Sequence, residues 1–125
     1  MHGVAMPKKD AALSRIELLQ GTLDLIILQT LRWGPRHGYG IAQLIGSTSR
    51  DVLRVDTGSL YPALHRLEKQ GAIAAAWGTS ENNQRVRVYR LTPEGRKRLV
   101  AERSRWRQLA DAIAGIMAPP SESEA

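Results

Sequence analysis

The sequence contains no cysteine, which excludes a disulfide framework, a thiolate metal site and a cysteine nucleophile. Histidine is scarce as well. His2, His37 and His65 are the only three, and their positions offer no metal-ligand spacing. There is no glycine-rich phosphate loop, and no serine or aspartate stands in a nucleophile setting. No catalytic residue, metal or cofactor is therefore expected. Long apolar runs are missing too. The greasiest stretch, "LDLIILQTL" from Leu23 to Leu31, is too short to span a bilayer and carries Asp24. The opening "MHGVAMPKKDAALSR" lacks the apolar core of a signal peptide. These absences point to a soluble cytoplasmic protein without a membrane role.

Acidic residues are outnumbered. The chain of 125 residues carries a net charge of +6 and a pI near 10.3, which favours a polyanionic partner. Nine of the eighteen basic residues fall between Arg85 and Arg107, opposed there only by Glu94 and Glu102. The competing reading of that run is a solvated arginine-rich helix face. The length fits one small domain with an added element. Because a core of that size is modest, oligomerisation is expected.

Residues 1–12 read as a disordered tail, with Met6 an alternative start, and 119–125 as a disordered acidic tail. Between them, 13–92 form a domain and 93–118 a long helix. The first helix begins near Gly21 or Thr22 and stops at Gly34-Pro35. Its apolar residues occupy more than one stripe, so Leu25 and Ile26 belong to a second side that wants cover. "HGYGIAQLIGSTS" is a weaker second helix, and "RDVLRVD" an extended link. The third helix runs from Thr57 to Gln70, with Leu60, Leu64 and Leu67 facing inward and Gly71 ending it. "AIAAAWGTS" and "RVRVYRLT" bracket the polar turn "ENNQ" as a β-hairpin. Thr92 caps the last helix, with Pro93 at its first position and Gly95 where a capping-box acid would stand.

In that last helix Leu99, Trp106 and Ile113 repeat every seven residues, with Leu109 and Ile116 interleaved. This coiled-coil-like seam reads as a dimer interface shared with Leu25 and Ile26. The alternative is packing back on the first helix of the same chain. Three helices, a hairpin and a long helix define a mainly α fold. It is a winged helix-turn-helix with a β-hairpin wing and a C-terminal dimerisation helix.

In such a fold the third helix enters the major groove of double-stranded DNA. Its outward side carries Tyr61, Pro62, His65, Arg66 and Lys69, and its N-terminus presents the backbone N–H groups of Thr57, Gly58 and Ser59 as a phosphate seat. Arg66 suits guanine edges, His65 a base or phosphate, and Tyr61 a phosphate or thymine methyl. Pro62 loses no backbone bond if Ser59 is the cap, and one bond if Thr57 is. On the wing, Asn82, Asn83, Gln84, Arg85 and Arg87 suit a phosphate strand or minor groove. The rival class is a winged-helix adaptor that binds protein and not DNA. The charge on His65, Arg66, Lys69, Arg85 and Arg87 favours nucleic acid.

The segments "LLQGTLDLIILQTL", "HGYGIAQLI", "TGSLYPALHRLEKQGAI" and "WGTSENNQRVRVYRLTPEGRKRL" together span Leu18 to Leu99. They closely resemble the PadR family of bacterial transcriptional regulators, in its short form with one helix after "YRLT". The resemblance implies a homodimer that binds a palindromic operator, usually as a repressor. It implies DNA contacts from Ser59, Tyr61, Pro62, His65 and Arg66 and from Asn83, Arg85 and Arg87. Tyr39 of "HGYGI" packs the second helix or touches phosphate, packing being the first reading. Trp106 either fills the seam or, as in some relatives, stacks a flat aromatic effector in a cavity at the dimer interface. Many relatives carry Lys-Tyr or Arg-Tyr-Tyr before "RLT", whereas this strand reads "RVRVYRLT".

Overall fold

The computed structural model describes residues 22–118 and 120. The expected N-terminal tail, and the C-terminal tail apart from Pro120, lie outside the described residues. The element order is α1 (Leu23–Arg32), β1 (Arg36–His37), α2 (Gly38–Thr48), α3 (Thr57–Lys69), β2 (Ile73–Thr79), β3 (Arg85–Leu91) and α4 (Pro93–Met117). β2 and β3 form the antiparallel hairpin, in register from Ile73 opposite Leu91 to Thr79 opposite Arg85. Its tip turns at Asn83, which takes a left-handed φ of 66°, a conformation that asparagine tolerates better than most residues.

β1 was not expected. It is two residues long and pairs Arg36 with Tyr89 and His37 with Val88, giving the sheet order β1–β3–β2. Nothing in the local sequence marks a strand there, because the pairing energy comes from a partner some fifty positions on. The link after α2 also differs from expectation. Rather than running extended, it opens with Arg50 and Asp51 at φ 54° and 63°. The Asp51 N–H donates to the Gly46 carbonyl at 2.7 Å, and the Leu53 N–H donates to Ser49 Oγ at 3.0 Å.

The core gathers the inward faces of α1, α2 and α3 with the hairpin base. Ile27, Leu28, Ile41, Leu60, Leu64, Leu67 and Ile73 are its largest fully enclosed side chains. Leu99 belongs to this core at 2% exposure, which corrects its placement on a dimer seam. A seven-residue repeat cannot tell a partner's helix from the chain's own α1, and here the first position of the repeat packs at home. Beyond Leu99 the character of α4 changes. Trp106, Leu109, Ile113 and Ile116 are all exposed.

The start of α4 explains Gly95. Thr92 caps the helix through its Oγ1, which accepts from the Gly95 N–H at 3.0 Å. A Cβ on Gly95 would collide with the carbonyl oxygen of Ala72, a backbone atom that is itself held by the Thr92 N–H. The missing capping-box acid is therefore a steric exclusion. Gly95→Ala should cost about 1–3 kcal/mol, read as a lower urea midpoint; an unchanged midpoint would show that the contact yields.

Candidate nucleic-acid interface

α3 is amphipathic in a way that sorts its residues. Leu60, Ala63, Leu64 and Leu67 are buried, while Tyr61, Pro62, His65, Arg66 and Lys69 are exposed on the opposite side. The three leucines and the exposed side lie as the sequence placed them, and Ala63 joins the buried side, but the cap was misjudged. Asp56 is the N-cap, and its Oδ1 accepts from the Ser59 N–H at 2.9 Å. Neither Ser59 nor Thr57 plays that part. Two consequences follow. The Ser59 N–H is already engaged, so the tip offers only those of Thr57 and Gly58, beside a carboxylate. Pro62 now lies well inside the helix, and since proline has no N–H, the Gly58 carbonyl forgoes its helical donor.

α2 and α3 meet where Tyr61 lies over Gly38. A Cβ on Gly38 would stand 2.5 Å from Tyr61 Oη, so any larger residue would displace the ring from this position. Tyr61 stays 45% exposed. His37 caps α2, its Nδ1 accepting from the Gly40 N–H at 3.0 Å. Tyr39 does not pack α2 inward. It is 67% exposed and stacks on His37 with centroids 6.4 Å apart.

Two arginines expected to reach outward are tied within the chain. Arg66 Nη2 donates to Asp24 Oδ1 at 2.6 Å, and Arg98 Nη2 takes the other oxygen, Oδ2, at 2.8 Å. One carboxylate on α1 thus links α3 to α4. Arg98 also donates to Gln70 Oε1 at 2.5 Å. Arg87 Nη2 donates to Glu68 Oε2 at 2.9 Å. Such partly exposed pairs contribute about 0–1 kcal/mol each, little enough for a phosphate to compete with them. These contacts join residues far apart in sequence, and no local pattern announces them.

The wing carries Asn82, Asn83 and Arg85 exposed at and beside its tip. Arg85 is tied to no carboxylate among the described residues; its guanidinium lies over Trp77 at 4.2 Å from the ring centroid. Trp77 is a residue that sequence reasoning treated only as strand. Its signal was a tryptophan opposite Arg87 on a solvent-facing hairpin. Tyr89, by contrast, is buried at the hairpin base, and burial pushes its phenol above the usual tyrosine range, with Arg87 opposing.

Leu25 and Ile26 of α1, Trp33, Ile45 and Leu53 line an open groove, of about 590 Å3, with Trp106 of α4. Leu25 and Ile26 are half-buried against the core, so the surplus side of α1 is partly covered and continues into this groove. Among the described residues no acidic, histidine or cysteine cluster is arranged to hold a metal. No helix among them is long and apolar enough to cross a membrane.

Helices α2 and α3 joined by a turn, a β-hairpin wing beside them and a long trailing helix define a winged helix-turn-helix protein. Solved structures of the same architecture agree with this assignment. A transcriptional regulator from Clostridium thermocellum superposes with a TM-score of 0.74 at 31% identity, covering 82% of this chain and 99% of that one. A PadR family transcriptional regulator from Eggerthella lenta gives 0.72 at 29% identity, covering 93% and 100%. In sequence, the transcriptional regulator Rv3488 of Mycobacterium tuberculosis is 39% identical over 99 residues, 79% of this chain and 89% of the relative. Residues 27–101 match the transcriptional regulator PadR-like family. The chain belongs to the PadR family of transcriptional regulators, and is a regulator rather than an enzyme.

Proposed function

We propose that the protein is a homodimeric, sequence-specific DNA-binding repressor of the cytoplasm, acting on a palindromic operator. The observation that carries this reading is the division of α3. Its buried leucines fix the helix against the domain, while Tyr61, Pro62, His65 and Lys69 form an exposed side with the size and polarity to enter a major groove. Tyr61 and His65 serve as base-reading candidates, and Arg66 joins them when DNA displaces Asp24. The wing supplies phosphate contacts through Asn82, Asn83, Arg85 and Arg87. The exposed apolar side chains of α4 supply the two-fold partner that a palindrome requires.

Substitution separates base reading from phosphate holding. Arg85→Ala should weaken binding to every duplex and flatten the salt slope by about one unit. Tyr61→Ala should cost about 1–3 kcal/mol at the cognate site alone. Fluorescence anisotropy on cognate and scrambled duplexes distinguishes the two, and equal losses on both would move Tyr61 to the phosphate class.

The groove beside Trp106 favours a second element of the function, release from DNA by a flat aromatic effector. The indole and the aliphatic side chains of Leu25, Ile26 and Ile45 line a space of drug-like size, about 590 Å3. Titration with a planar cationic dye should quench Trp106 emission saturably and lower operator affinity. With Trp33 and Trp77 replaced by Phe, so that Trp106 is the one remaining indole, quenching that is absent or does not saturate would remove the effector from the proposal.

A further inference from the structure

Arg36 carries the one buried side-chain donor among the described residues without a hydrogen-bond partner, its Nε. The residue lines an open concavity of about 1090 Å3 between the start of α2 and the wing. Trp77 and Arg85 line the same space from the hairpin. Trp77 is 61% exposed, a large ring with no place in the core. What it does hold is the Arg85 guanidinium. Stacking of that kind uses the flat face of the guanidinium and leaves its N–H edges for an acceptor. Neither Arg36 nor Arg85 has a carboxylate partner among the described residues. Glu81 is the only acid among the lining residues.

We infer that this concavity seats the sugar–phosphate strand flanking the half-site read by α3. Arg36 and Arg85 donate to its phosphate oxygens, and Trp77 is a positioning residue that acts through Arg85. The seat rests on the DNA-binding reading and extends it to two residues that neither the recognition helix nor the wing tip contains. A polyanion is the occupant because two guanidiniums without a carboxylate partner among the described residues border the concavity, and Glu81 is the one acid that lines it. A phosphate strand supplies acceptors at every step along the groove edge.

The test uses the full-length protein and a duplex that it selects from a random-sequence library. Arg36→Gln should lower the salt slope of binding by about one unit with an unchanged melting temperature, and Arg36→Lys should restore most of it. Trp77→Ala should reproduce the loss seen in Arg85→Ala, add nothing in the Arg85→Ala background, and be rescued by Trp77→Phe. Ethylation of duplex phosphates probes the same contact without altering the protein, so a poorly folded Arg36 variant does not blunt the test. Interference at phosphates outside the α3 half-site supports the seat. Wild-type binding with unchanged slopes and no flanking interference overturns the seat alone. Failure of the wild-type protein to bind any duplex overturns both the seat and the DNA-binding reading.

Discussion

Ile113→Glu should convert the proposed dimer into a monomer and lower operator affinity by a factor of about 10²–10⁴, the gain that joining two half-site contacts confers. The reason lies in how α4 is built. Up to Leu99 the helix belongs to the core of its own chain. Past it, Trp106, Leu109, Ile113 and Ile116 stand 50, 57, 49 and 80% exposed, with Val100 and Met117 exposed as well, on a helix whose other positions are mostly charged or small. A contiguous apolar surface of that kind marks an association site. Seven-residue spacing lets Trp106 and Ile113 meet a second copy along one seam. A carboxylate set into that seam without a partner costs several kcal/mol. It leaves the core untouched, because Ile113 makes no part of it. Sedimentation equilibrium with a gel shift on the same sample checks both halves. A variant that remains dimeric would move the interface elsewhere.

Leu64→Ala should have the largest effect on folding, a loss of about 2–5 kcal/mol. Leu64 is fully enclosed and lies on the inner side of α3, directly behind His65 in sequence. Its removal leaves a cavity in the layer that fixes α3 against α1 and α2. A domain of this size has about 5–15 kcal/mol to lose, and each kcal/mol lowers the melting temperature by roughly 4–8 °C. The midpoint should therefore fall steeply, and operator binding should be lost at temperatures where the wild type still binds. Lys69→Ala, on the exposed side of the same helix, should stay within about 0.5 kcal/mol. Thermal denaturation at matched protein concentration is the measurement, since a dimer's midpoint depends on concentration. Comparable midpoints for the two variants would mean that α3 is held by something other than its leucines.

The sequence was most legible where one short pattern carried the physics by itself. The three leucines of α3 at helical spacing, the Gly71 stop with φ 78°, and Thr92 followed by Pro93 each specify a local conformation. All three are found as read. The hairpin was legible because two strand-like runs enclosed a polar turn. What escaped was whatever depended on a distant partner. The cap of α3 was sought at Ser59 or Thr57, whereas Asp56 holds it. β1 exists only because β3 offers an edge to Arg36 and His37. Asp24 looked like an interruption in a greasy helix, yet it anchors Arg66 and Arg98 from 42 and 74 positions away. Trp77 looked like strand filler, and only the fold brings Arg85 over it. For the candidate interface, residue types and the outward side of α3 were readable. Which cations were already engaged was not.

The most direct measurement is capture of sheared genomic DNA on the purified protein at near-physiological salt, followed by sequencing. A homodimer that reads bases through α3 predicts one enriched palindrome, its half-sites about one helical turn apart, upstream of its own gene or a neighbour. Recovery without a shared motif, lost as salt rises, would contradict sequence-specific regulation by direct operator binding.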